Sequence, residues 1–276
     1  MKTKKTIMRR LTTAGWMLAA AVLFITAGCK GNIGKYESQA KADENSTWYK
    51  DTAALEALYQ KAVDDAKEPT PSKVVDTLSS ITNAKDNPDQ EWIKVGDTDM
   101  VLVASLMKDK FVQMYKNEKD TFRLASNESW FTIPAEWQKK AGCFAGMDSV
   151  ESRTRLLQML GLPLSTVHTD IVAVYVDAKA LFRPSHDPEI TDRTSQLTYP
   201  SGVSRNHHDW FEYNVSFSYE PGNAYPWTQL GYTYDWHNPD GYHVGLSEFV
   251  AFKGTLAKVK EIKSCWQFIQ ELQGKK

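Results

Sequence analysis

From Tyr225 to Phe252 the chain reads Tyr-Pro-Trp-Thr-Gln-Leu-Gly-Tyr-Thr-Tyr-Asp-Trp-His-Asn-Pro-Asp-Gly-Tyr-His-Val-Gly-Leu-Ser-Glu-Phe-Val-Ala-Phe. Polar and aromatic residues alternate there at strand spacing, with Gly231, Gly241 and Gly245 where the backbone must turn or approach closely. The enrichment extends upstream: eleven of the 32 aromatic residues fall in the 33 positions from Trp210 to Tyr242. In a strand over 230–236, alternation puts Leu230, Tyr232, Tyr234 and Trp236 on one face and Gly231, Thr233 and Asp235 on the other. Such a face is either a core layer or a platform for sugars and peptides, whose apolar faces stack on rings while hydroxyls meet the polar tips. Trp227, Tyr232, Tyr234 and Trp236 are therefore candidate ligand contacts.

At the amino end, Lys2, Lys4, Lys5, Arg9 and Arg10 precede a mostly apolar run over 11–25, the pattern of a signal peptide. The run is short for a membrane span, which takes about 20 apolar residues. It ends in Thr26-Ala27-Gly28-Cys29, which resembles the lipobox of bacterial lipoproteins, departing from it at Thr26, where an aliphatic residue is usual. That resemblance implies cleavage after Gly28 and acylation of Cys29, hence a membrane partner reached through a lipid anchor. Lys30, in place of an aspartate that resembles an inner-membrane retention signal, favours the outer membrane of the cell envelope.

Removing residues 1–28 leaves 28 basic against 34 acidic residues, a balance with no footprint for nucleic acid. Residues 29–46 form a lipidated, polar tether, and 47–276 a single folded domain, since no linker divides them. Cys143 and Cys265 remain as a pair that an oxidising compartment can join, or as two buried thiols.

Leu55, Leu58, Tyr59, Ala62, Val63 and Ala66 recur at helical steps behind an Asp51 cap, and a second helix from Ser72 through Val74, Val75, Leu78 and Ile81 completes a helical hairpin. The period then changes. Strands are expected at 92–95 and 100–107, a hairpin at 111–115 and 121–124, and a strand at 130–133 followed by a short helix from Pro134. Asp148 and Glu151 form a capping box for a helix that buries Leu156, Leu157 and Leu160 and stops at Gly161 and Pro163. A second central strand spans 170–177, Lys253-Gly254 turns into a strand over 255–262, and 264–272 closes as a helix. The fold class is α+β: a mixed or antiparallel sheet of about five to eight strands, helices packed on one face, and the helical hairpin leading in.

The loop from Leu181 to Asp192 offers Arg183, His186, Asp187, Glu189 and Asp192, residue types that bind anions, ligate metals or move protons. All six histidines fall late, and His207-His208-Asp209 or Asp235, His237, Asp240 and His243 carry enough donors for a metal without matching a metal motif, so cofactor content is open. His186, Asp187, Asp235, His237 and Glu248 are the candidate catalytic groups, provided that the Arg183 loop and the final hairpin meet. No Gly-x-Ser-x-Gly elbow, phosphate loop or dinucleotide glycine pattern occurs.

The run Arg155-Leu156-Leu157 to Leu160-Gly161-Leu162-Pro163, with Leu181-Phe182-Arg183-Pro184, Asp187-Pro188-Glu189-Ile190, Pro226-Trp227-Thr228, 230–236 and Gly245-Leu246-Ser247-Glu248-Phe249-Val250, resembles a family of uncharacterised bacterial exported proteins and lipoproteins. The resemblance covers roughly residues 100–255 and implies a shared fold; it carries no activity with it. Three functions follow from the residues: an envelope protein binding a glycan or peptide through its aromatic strand and Arg183, an envelope hydrolase working with His and carboxylate groups, or a structural lipoprotein in an envelope assembly.

Overall fold

A computed structural model of the chain describes residues 47–275, so the expected signal peptide, Cys29 and the tether lie outside the described residues. The continuous apolar run around Met100–Met107 does form a central strand, β2 (Thr98–Lys108), which pairs in antiparallel register with β5 (His168–Asp177) from Met100↔Asp177 to Lys108↔His168. Both strands are buried on two faces, which is why neither alternates in hydropathy.

The remaining strands are β1 (Trp92–Val95), β3 (Thr121–Arg123), β4 (Glu128–Thr132), β6 (Leu181–Phe182), β7 (Tyr232–Tyr234), β8 (Val244–Phe252) and β9 (Leu256–Ser264). The path runs β3-β9-β5-β2-β4-β8-β6, with β1 on β2 and β7 on β8, nine strands among the described residues and every pairing antiparallel. Of the short strands β3, β6 and β7, β6 lies where the sequence suggests only a loop.

Helices cover both faces, not one. On one side Val101 and Val103 of β2 and Val172, Val174 and Val176 of β5 pack with Val112 and Tyr115 of α2 (Asp109–Lys116, numbering α-helices in chain order). On the other, Ala104 and Ile171 pack with Trp137 of α3 (Pro134–Lys139), Leu156 and Met159 of α4 (Ser149–Met159), and Phe268 and Ile269 of α6 (Cys265–Leu272). Each large apolar side chain so buried contributes about 1.5–3 kcal/mol.

Caps fix the helix ends. Asp51 accepts from the Ala54 amide at 3.0 Å to start α1 (Thr52–Ala66). Asp148 accepts from the Val150 and Glu151 amides at 2.8 Å, but Glu151 does not close the expected box; its carboxylate takes the Trp48 indole N–H at 2.7 Å. Gly161 ends α4 at φ +67°, with the Leu162 amide bonded back to Leu157.

Three local expectations change. The second arm of the helical hairpin is one 3-10 turn (Pro71–Lys73) followed by extended chain, because the Leu78 and Ile81 amides bond to the Arg193 and Ile190 carbonyls and β-branched Val74, Val75 and Thr77 favour that form. Phe111–Tyr115 is helical: Val112 and Tyr115, three apart, share the buried side. Residues 205–218, read only as aromatic-rich, form α5 (Arg205–Ser218), capped by Ser204 on the His207 amide.

Candidate functional site

Tyr232, Tyr234 and Trp236 do share one face, and that face is core. All three are at most 1 % exposed because α1 docks on the Tyr234 and Trp236 end, with the Tyr59 and Trp236 rings edge to face at 5.6 Å. Their polar tips are consumed internally: Tyr232 donates to the Lys73 carbonyl (2.9 Å), Tyr234 to Asp65 (2.9 Å) and Trp236 to the Leu162 carbonyl (3.0 Å). The three rings are therefore not available as a ligand platform.

On the opposite face of that segment, Asp235 accepts two hydrogen bonds from Arg155 at 2.8 and 2.6 Å. Burial alone would raise this carboxyl, but the guanidinium overrides it and holds Asp235 below the ordinary carboxylate range. An aspartate so committed is a structural anion. His237 follows it, its amide bonded to Asp235 at 3.2 Å, and burial pulls its imidazole down to about 4, so it is neutral at pH 7.

The Arg183 loop also turns inward. Arg183 is fully buried and donates to the Glu189 and Asp192 carbonyls at 3.0 and 2.9 Å, tying its own loop together. Its stem lies against Gly231, where an added Cβ would sit 2.5 Å from Arg183 Cγ. Asp187 accepts from the Glu189 amide (3.1 Å) and Gln196 (2.8 Å), and His186 packs between the Tyr199 and Phe211 rings. Arg183 thus organises the loop instead of presenting a charge to solvent. Among the described residues no group of three or more His, Cys, Asp or Glu side chains is arranged to hold a metal.

Cys143 and Cys265 occupy one apolar cluster but are not joined: Cys265 is a free, buried thiol that donates to the Thr169 carbonyl at 2.9 Å, with its pKa pushed up to about 11 by burial.

A cleft lies elsewhere, where the sheet divides. β2 and β4 pair only at Ala104↔Thr132 and then diverge, leaving a wedge of about 740 Å³ whose walls are the second half of β2 and the first half of β4. At about 3.3 Å per residue, Lys108 and Glu128 at the mouth stand roughly 13 Å from that apex. Trp227 and Trp130 line the wall, and Phe111, Tyr213, Phe217 and Tyr225, all exposed, form the rim. Tyr213 and Phe217, one turn apart on α5, stack with planes 9° apart. Glu128 fixes the indoles, accepting from Trp130 at 3.0 Å and Trp210 at 2.6 Å.

Glu248 stands at the apex, opposite Thr132 in the β4–β8 register. Its carboxyl has no ion pair and no side-chain hydrogen bond among the described residues, and desolvation pushes its pKa up to about 8. At neutral pH it is a protonated acid, able to donate a hydrogen bond. At the mouth, His168 is lowered to about 4 by burial, with Lys108 and Arg153 adding to the effect.

Of the residues singled out by sequence, Trp227, Tyr234 and Glu248 border this cleft, Tyr234 with its ring in the core; Arg183, His186, Asp187, Asp235 and His237 do not. The rim was missed because α5 and α2 were not read as helices; the four-residue spacing of Tyr213 and Phe217 was the available signal. No family model, curated protein or solved structure matches the chain significantly.

Proposed function

We propose that this is a lipid-anchored protein of the bacterial cell envelope that binds an elongated ligand, glycan or peptide, in the β2–β4 cleft. The lipobox-like Thr26-Ala27-Gly28-Cys29 supports the anchor. The observation that carries the binding role is convergence: exposed aromatic side chains rim a deep wedge that ends on an uncompensated, protonated Glu248. Sites of this kind pair an apolar wall with a few placed polar groups. Such concavity favours ligand capture over a purely structural role.

Hydrolysis is the weaker reading. Glu248 has the raised pKa of a general acid, but the other cleft carboxylate, Glu128, is roughly 13 Å away along the strands, beyond the ~5–9.5 Å that glycosidase pairs span. Both Glu128 oxygens already accept indole protons.

The test replaces Tyr213 and Phe217 together with alanine and measures binding to a glycan array and to a displayed peptide library. Both side chains are exposed, so stability should stay within about 0.5 kcal/mol while binding is lost. Retained binding would move the site elsewhere. Cys29→Ser should release the protein from the membrane fraction; a membrane-bound variant would refute the anchor.

A further inference from the structure

The walls of the cleft are strand edges, and this narrows the ligand. β2 uses one edge for β5 from Met100 to Lys108. Its other edge takes β1 through Val101, the Leu102 amide bonds to the Glu91 carbonyl, and Ala104 meets Thr132. With a two-residue repeat, the next ladder position on that edge is Leu106, and among the described residues no strand pairs there. The Leu106 peptide groups thus face the open wedge instead of a neighbouring strand, and an edge of this kind is a template for another strand.

Resting on the proposed binding role, the geometry points to an extended peptide as the ligand, adding to the free edge of β2 at Leu106 inside the cleft. About four residues fit along the roughly 13 Å between apex and mouth. Large apolar side chains flank the wedge on both sides of the sheet plane: Trp130 and Trp227 lie on the Glu248 side, Met107, Tyr115 and Phe131 on the α2 side. Side chains of an added strand alternate between these two sides, so the inserted segment is apolar at successive positions. Lys108, with no ion pair among the described residues, lines the mouth, which suits an acidic residue at that end of the peptide. Main-chain bonds give affinity in this mode and the flanking pockets give selectivity.

The experiment uses the full chain in detergent, panned against phage-displayed random 12-residue peptides and, separately, a glycan array. Enriched peptides should carry an apolar core followed by an acidic residue, and Lys108→Gln should remove the acidic preference while leaving the apolar one. Scanning the best peptide with backbone N-methyl groups should weaken binding about 10-fold at every second core position and little in between. Exchange of the Leu106 amide should slow in the complex. Losses without that alternation, or an unprotected Leu106 amide, would overturn strand addition. Glycans bound with no peptide enriched would overturn the peptide assignment and leave the binding cleft standing; neither class bound would refute both.

Discussion

Replacing Glu248 with glutamine isolates the energetic cost of the cleft. The carboxyl moves from an ordinary 4.5 to about 8 on folding, through desolvation alone. At 1.36 kcal/mol per pH unit the whole displacement is worth ~5 kcal/mol. The side chain keeps part of its surface open to the cleft, so screening lowers the expected effect to ~2–3 kcal/mol. A folded-state pKa above the unfolded one means that the folded state holds the proton more tightly, so its contribution is intact below pH 4.5 and is lost as pH rises through about 8. Glutamine copies the protonated acid in shape and cannot ionise. Urea unfolding of both proteins should therefore agree near pH 4.5 and separate steadily, with the variant more stable by ~2–3 kcal/mol at pH 8.5. An offset that does not vary with pH, or a variant less stable at pH 8.5, would refute the account of Glu248 as an uncompensated acid.

Other substitutions test the core reading of the aromatic segment and the inward-facing loop. Trp236→Ala, which empties a fully buried site beside α1, should cost about 3–5 kcal/mol in chemical denaturation; a loss under ~1 kcal/mol would return the ring to the surface. Asp235→Asn leaves the buried Arg155 guanidinium unneutralised and should cost about 3–5 kcal/mol, measured the same way, whereas a surface ion pair would cost under ~1 kcal/mol. Gly231→Ala combines φ +73° with a Cβ 2.5 Å from Arg183, while Gly254→Ala has φ +90° and open space, so thermal unfolding should show the first clearly worse than the second. Equal losses would show that Arg183 can move aside.

Sequence periodicity revealed the elements whose signals are local. The continuous apolar runs that became β2 and β5, the Asp51 and Asp148 caps and the Gly161 stop are all visible in single windows. What failed depended on partners far along the chain. Nothing near Leu78 shows that its amide will be taken by Arg193, and nothing near Tyr234 shows that α1 will cover it. The alternation of 230–236 was sound, yet alternation cannot say whether a buried face meets solvent or a helix. Arg183 and Asp235 were attractive because charged residues mark chemistry; each instead closes an internal hydrogen-bond set. Glu248 was legible as a lone acid inside Gly245-Leu-Ser-Glu-Phe-Val-Ala, but its meaning needed the divergence of β2 and β4, which no local pattern encodes.

The sheet's connectivity also sets the order in which the chain can acquire structure. β3 waits for β9, where Thr121 meets Lys258, and β6 waits for β8, where Leu181 meets Ala251. Neither edge of the path can form until the last strands have arrived, and contacts so distant in sequence close slowly. The central β1-β2-β5 ladder can pair once Asp177 has been made, whereas the outer ladders wait for β8 and β9. A chain cut before Val244 therefore keeps the central ladder and loses the ladders that hold β3, β4 and β6.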